Sequence, residues 1–318
     1  MDSSLLTRFA ENIFWLARYM ERIENLARIL DVNETYNRGR AGDNDWSRIL
    51  RLHHDEEAFH ERHGDATESA VIAFYITDRK NPNSIISCLH FARENARSLR
   101  HLISTEMWRQ INTFYSRIRN VKAADLRNLS ELCREIKEGC QTHTGITEGT
   151  FFRNQGWTFY HIGKYLERAD QTTRQVDMRR HMLIRADVED GEADAARQLD
   201  LIEVNTLLRS LAGFHAFRQV HPAGMTAEDV VSFLLFDSRF SRSVAFSLSM
   251  VESLIVEMSK THRLRRNVAI RAAFADARKV VETGSVAGMD AADLHDYLDL
   301  LQLKVGVLTS AIDDAYFG

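Results

Sequence analysis

Apolar side chains recur along this chain at intervals of three and four residues, the spacing of one face of an α-helix. In the first stretch Trp15, Leu16, Tyr19, Met20, Ile23, Leu26, Ala27 and Leu30 share one wide arc, with Glu21, Glu24, Asn25, Arg28 and Asp31 opposite. The pattern predicts a two-faced helix over about 5–36, followed by a loop at 39–43. Further helices are predicted at about 45–62 and 65–77, then a turn over 78–83 closed by Asn81-Pro82. Ser84 is the expected N-cap of a helix running to about 104, and helices over 106–120 and 124–142 follow. Gly145 and Gly149 read as a joint. Beyond it lie a long helix at 151–185, an acidic bridge from Asp187 to Asp194, and helices at 195–217, 226–236, 243–262, 266–283 and 290–314. No segment alternates with period two, so no sheet is expected. The fold class is all-α, a multi-helix bundle.

The same pattern occurs twice. At an offset of 146, Tyr19-Met20-Glu21-Arg22-Ile23-Glu24-Asn25 falls on Tyr165-Leu166-Glu167-Arg168-Ala169-Asp170-Gln171, Arg28 on Arg174, and Asp31 on Asp177. At an offset of 159, Phe74, Asp78, Ser84, Ile85 and Leu89 fall on Phe233, Asp237, Ser243, Val244 and Leu248. The growth in offset coincides with the acidic bridge, which reads as an insertion. Two matches in the same order point to a duplication, with halves at 1–146 and 147–318 inside one domain of 1–318. Two such halves pack most simply around a pseudo-twofold axis.

Each half carries a ladder of Glu, amide and Arg at helical spacing: Glu21, Asn25 and Arg28 in one, Glu167, Gln171 and Arg174 in the other. Glu24 to Arg28 and Asp170 to Arg174 are four apart, with the acid on the favourable N-terminal side. A solvent-facing strip of this kind contributes only about 0–1 kcal/mol per pair. If the strips are buried, breaking one pair costs about 3–5 kcal/mol, and the same groups can bind carboxylate, phosphate or amine. Glu21 and Glu167 are the candidate general bases. Arg22, Glu24, Asn25, Arg28, Arg168, Asp170 and Arg174 are the candidate binding residues. A further charged run, Arg93-Glu94-Asn95-Ala96-Arg97, has a counterpart at 252–256 that has largely lost its charges. Arg93, Glu94, Asn95 and Arg97 therefore join the candidate binding set.

Composition changes this picture little. The chain has 318 residues, two prolines (Pro82 and Pro222), 44% apolar and 27% charged residues. A net charge of −4 argues against nonspecific nucleic-acid binding, and the basic run at Arg263, Arg265 and Arg266 reads as a solvated helix end. Cys88, Cys133 and Cys140 form no paired framework and are expected as reduced core thiols. The N-terminus lacks a signal-peptide pattern and the most apolar stretch, 230–236, is too short to span a bilayer, so a cytoplasmic protein without membrane association is expected. Glu57-Ala58-Phe59-His60 has ExxH spacing beside His53, His54 and His63, but no second ExxH exists to complete a di-iron set. Asp313-Asp314 lacks the rest of a DDxxD pattern, and no P-loop, GxGxxG, GxSxG or paired CxxC occurs. No metal or cofactor is expected in this chain.

The stretch Leu6-Thr7-Arg8-Phe9-Ala10-Glu11-Asn12-Ile13-Phe14-Trp15-Leu16-Ala17-Arg18-Tyr19-Met20-Glu21-Arg22 resembles the opening of the bacterial alpha-E domain family, named for its helices and Glu-Arg motif. Asn81 to Ile85, Ala92 to Arg97, Ser104 to Trp108, Gly156-Trp157, Leu166 to Asp170 and Asp237 to Ser243 continue the resemblance in order. Lys164 stands where Arg is expected, Ser241 where Pro is usual, and Phe151-Phe152 replaces a Thr-Met-like pair. The resemblance implies association with a circularly permuted ATP-grasp protein, often accompanied by transglutaminase-like proteins. ATP and Mg would sit on that partner. This chain would act as a helical subunit in peptide or amide-bond formation or peptide modification, holding an amino-acid or peptide substrate. The alternatives are a stand-alone helical transferase with a Glu general base and a purely structural scaffold.

Overall fold

A computed structural model describes residues 7–38, 45–181, 193–262 and 267–317. Among them there are fifteen α-helices and no strand. These are α1 (Thr7–Arg38), α2 (Ser47–His53), α3 (Glu56–His60), α4 (Glu68–Ile76), α5 (Ile85–Ser98), α6 (Thr105–Arg119), α7 (Ala123–Leu126), α8 (Leu129–Thr150), α9 (Gln155–Met178), α10 (Ala193–Ser210), α11 (Phe214–Val220), α12 (Ala227–Phe236), α13 (Val244–His262), α14 (Asn267–Thr283) and α15 (Ala291–Tyr316). The loop expected at 39–43, most of the acidic bridge and the basic run at 263–266 lie outside the described residues.

The chain divides into two compact units, residues up to 164 with 317, and residues 165–316. In the first, α1 packs on α5 and α8, and α6 lies against both of those. Ile13, Phe14, Leu16, Met20, Ile23, Leu26 and Leu30 are buried, but so are Glu21, Glu24, Asn25, Asn33 and Glu34. The two-faced reading of α1 is therefore corrected: it is a core helix, wrapped on its polar side as well as its apolar one. Gly163 on α9 sits where a Cβ would collide with the backbone carbonyl of Phe14, so only glycine permits that crossing. In the second unit α14 and α15 form a hairpin, and α12 packs on α10, α13 and α14.

Side-chain caps fix many helix starts. Thr67, Ser84, Ser104 and Thr226 each accept from the backbone N–H three residues on. Asn154 Oδ1 accepts from the Gly156 N–H at 2.9 Å, so α9 begins later than the 151 expected.

Several expected helices break. The one at 45–62 splits because His54 turns left-handed (φ 56°) and its neighbour Asp55 is buried, accepting the Asn83 amide at 2.9 Å. The one at 195–217 splits at Ala212 (φ 55°), where the Gly213 N–H closes on the Leu208 carbonyl at 2.7 Å. Both are C-terminal closures without the glycine that usually marks them. The helix expected to reach 104 stops at Ser98, and the turn that follows buries Leu99 and Ile103. The helix expected at 124–142 is instead the short α7 and the longer α8. Gly145 and Gly149 lie inside α8, whose packing through Ile136, Cys140, His143 and Thr147 outweighs the cost of two glycines.

The two units repeat small devices internally. Phe59 stacks on His63 (4.9 Å) and meets Phe74 edge-on (5.2 Å); Phe217 stacks on His221 (4.6 Å) and meets Phe233 edge-on (5.5 Å). Asp78 accepts the Lys80 N–H and Asp237 the Arg239 N–H, each at 2.8 Å. The left-handed residues, 54 and 212, and the threonine caps, 67 and 226, fall at almost the same offset.

Candidate functional site

The ladder on α1 begins deep in the core. Asn25 is 2% exposed and Glu21 4%. One turn on, Arg28 donates from Nε (3.1 Å) and Nη2 (2.7 Å) to Glu24 Oε1, with the guanidinium reaching toward the edge. Arg22 lies over the Tyr19 ring, 5.9 Å from its centroid. Past the ladder, Lys137 of α8 donates to Asp31 at 2.6 Å and Ser130 to Glu34 at 2.7 Å, pinning this end of α1.

On α9 Glu167 is fully buried and accepts the Gln171 amide at 3.1 Å. Arg174 Nε donates to Asp170 at 2.8 Å. Arg168 lies 5.6 Å over the Tyr165 ring and donates to the Ser241 carbonyl at 3.0 Å, while Thr172 donates to the Arg242 carbonyl at 2.9 Å. Arg168 and Thr172 of this helix thus tie down the turn that carries residues 241 and 242. Both ladders have buried acids and amides, with a half-buried Arg as the outermost rung.

Arg93, Glu94, Asn95 and Arg97 form a separate, wetter cluster on α5. Arg93 Nε donates to Asn112 of α6 at 2.7 Å and its Nη1 to Glu94 at 2.7 Å; Arg97 pairs with Glu94 at 2.8 Å. The Arg93 guanidinium lies between Trp108 (5.7 Å) and Tyr115 (5.4 Å).

The sequence reading missed one rung. Arg18 and Lys164 stand three residues before Glu21 and Glu167 at the same offset of 146, which was the available signal. Arg18 lies over Trp15 at 4.9 Å, and Lys164 is buried. Beside Lys164 a polar pocket of the core also went unread. His143 and Thr147 of α8 face Tyr160 of α9, and all three are buried. Burial, with help from Lys164, holds the His143 imidazole down to about 3. Its Nδ1 has no hydrogen-bond partner among the described residues. Burial pushes the Tyr160 phenol up; Glu21 and Glu148 add to this, and a hydrogen bond from Thr147 opposes it.

Of groups that can gather on a cation, the described residues offer Asp177, His295 and Asp299. His295 Nδ1 is 2.8 Å from Asp177, and Arg180 donates to the same Asp177 oxygen at 3.1 Å. An arginine there makes it an ion-pair network that repels a second cation. Glu57 and His60 of the ExxH run are exposed. The three cysteines are buried free thiols.

Residues 5–317 match the Alpha-E family, described as "a predicted alpha-helical domain with a conserved ER motif". The chain belongs to the Alpha-E family. No curated protein and no solved structure matches it. Two Glu-Arg pairs in this Alpha-E chain, Glu21-Arg22 and Glu167-Arg168, have the acid buried in a core helix and the guanidinium against a tyrosine ring. No helix among the described residues of the Alpha-E chain is long and apolar enough to cross a membrane.

Proposed function

We propose that this chain is the helical, non-ATP-binding subunit of an amide-bond-forming or peptide-modifying system whose ATP-grasp partner carries ATP and Mg. Its Glu-Arg ladders hold the amino-acid or peptide substrate. The observation that carries this reading is the burial of ionisable rungs in both core helices. Taking such groups out of water costs several kcal/mol each, and apolar residues of similar volume would serve the fold as well or better. A polar ligand repays that cost. Arg28 and Arg174 offer planar forks for a carboxylate or phosphate, and Glu24 and Asp170 complement an ammonium group. The local devices repeated in the two units support reading the chain as an internal duplication, which would supply the two ladders as one ancestral site copied.

The test is co-purification with a circularly permuted ATP-grasp protein from the same organism, followed by assay of ligase activity with and without this chain. Stable association, with activity raised by the chain and lost in Arg28→Gln or Arg174→Gln, supports the proposal. The absence of both association and stimulation sinks it. The scaffold reading draws on the bonds from Arg168 and Thr172 to the 241–242 carbonyls. It predicts that the Arg28 and Arg174 variants lower stability while leaving the partner's activity unchanged.

A further inference from the structure

The outward stripe of α15 divides by chemistry. Its middle is apolar: Leu300 is 43%, Leu303 62% and Val307 48% exposed. Its two ends are acidic, with Asp293, Asp296 and Asp299 exposed on one side and Asp313 and Asp314 on the other. The only Lys or Arg on α15 is Lys304, already bound to Asp276 at 2.9 Å. Between α14 and α15 the stripe borders an open groove of about 620 Å³, lined by the small residues Ala269, Gly306, Ser310 and Ala311, by Leu303 and Val307, and by Asp314 of the acidic end. Large apolar side chains left in water around a channel of small residues mark a contact surface. Small residues admit a second helix closely, and nothing lies within 4 Å of a Cβ built on Gly306.

We propose that this groove receives an amphipathic helix of a protein partner, apolar along one stripe and carrying Lys or Arg at both ends. Charge decides among occupants. A second copy laid antiparallel about Gly306 would set Asp299 against Asp313, each seven residues from the centre, and like charges there repel. An anionic lipid surface meets the same aspartates and is repelled. A basic-ended helix pairs with both acidic ends at once. No ladder residue is among those lining the groove, so this inference does not depend on the ladders.

The test uses the full chain and a labelled helical peptide of about 18 residues, with leucines at helical spacing and lysines at both ends. Its glutamate-ended twin and anionic phosphatidylserine vesicles serve as controls. Fluorescence anisotropy is expected to show salt-sensitive binding of the lysine-ended peptide alone. Val307→Asp should weaken it about 10-fold or more. Gly306→Leu fills open space in an exposed helix with a better helix former, so it should keep or raise Tm while abolishing binding. Equal binding of both peptides, no loss in either variant, binding to vesicles, or a dimer in light scattering that Val307→Asp dissociates would each overturn the proposal.

Discussion

The Glu-Arg rungs of α1 and α9 and the Glu131-Arg134-Glu138 rung of α8 share residue types and helical spacing, and differ in how much water reaches them. On α8 the Arg134 side chain is 52% exposed, between two carboxylates that are equally wet. On α9 Glu167 has no exposed surface and the Gln171 amide is its partner. The first rung can exchange its partners for solvent at almost no cost; the second cannot. The same short sequence pattern is therefore solubility in one place and a stored electrostatic commitment in the other.

The contrast can be broken most forcefully at Glu167. Glu167→Ala removes a fully buried acceptor of the Gln171 amide and is expected to lower unfolding free energy by about 1–3 kcal/mol in a urea titration. A loss no larger than that of an exposed pair would erase the difference between the two kinds of rung.

Acid probes the same interior through His143. Its pKa falls from an ordinary 6.5 to about 3 in the fold, so below 6.5 the unfolded chain takes up a proton that the native one refuses. Stability should drop by about 1.4 kcal/mol per pH unit from this group, levelling off below about 3. His143→Gln should flatten the curve between pH 7 and 5.5, where few carboxylates titrate.

A smaller effect is expected at Asp55. Burial raises its carboxyl above the usual range, against opposing hydrogen bonds from Asn83 and Tyr75. Because the folded form favours the proton, the penalty is present at neutral pH and fades as pH falls through the raised pKa. Asp55→Asn should stabilise by about 1 kcal/mol at pH 7, with the gain shrinking on acidification. At the solvated extreme, Arg134→Ala should leave the denaturation midpoint where it was, and adding 1 M salt should change nothing further.

The helix content of the chain was legible because periodicity and caps are local: Ser84 as a cap and the helix over about 226–236 announce themselves. The breaks at His54 and Ala212 were not, since residues that rarely turn left-handed do so there under tertiary constraint. Gly145 and Gly149 misled for the opposite reason, glycines held in a helix by packing elsewhere along it. The candidate site was half visible. Spacing supplied the rungs, but periodicity alone cannot distinguish a solvated polar face from one covered by other helices. Hence α1 read as two-faced, Lys164 stood out only as a departure from the family pattern, and the His143–Tyr160 pair went unread. The counterpart of Arg93 lies in a stretch, 252–256, that has largely lost its charges. It is Glu252, bound to Arg278 of α14 at 2.8 Å, a bridge to the next long helix with its polarity reversed.

Where α9 passes the Phe14 carbonyl, the alphabet shrinks to one letter. A saturation library at 163 would return glycine alone among folded clones, whereas the same library at 145, with open space around it, would return nearly everything but proline. That single hydrogen atom sets how closely the helix carrying Tyr160 and Lys164 can approach the one carrying Glu21, so the spacing of the charged interior is inherited from a residue that bears no charge.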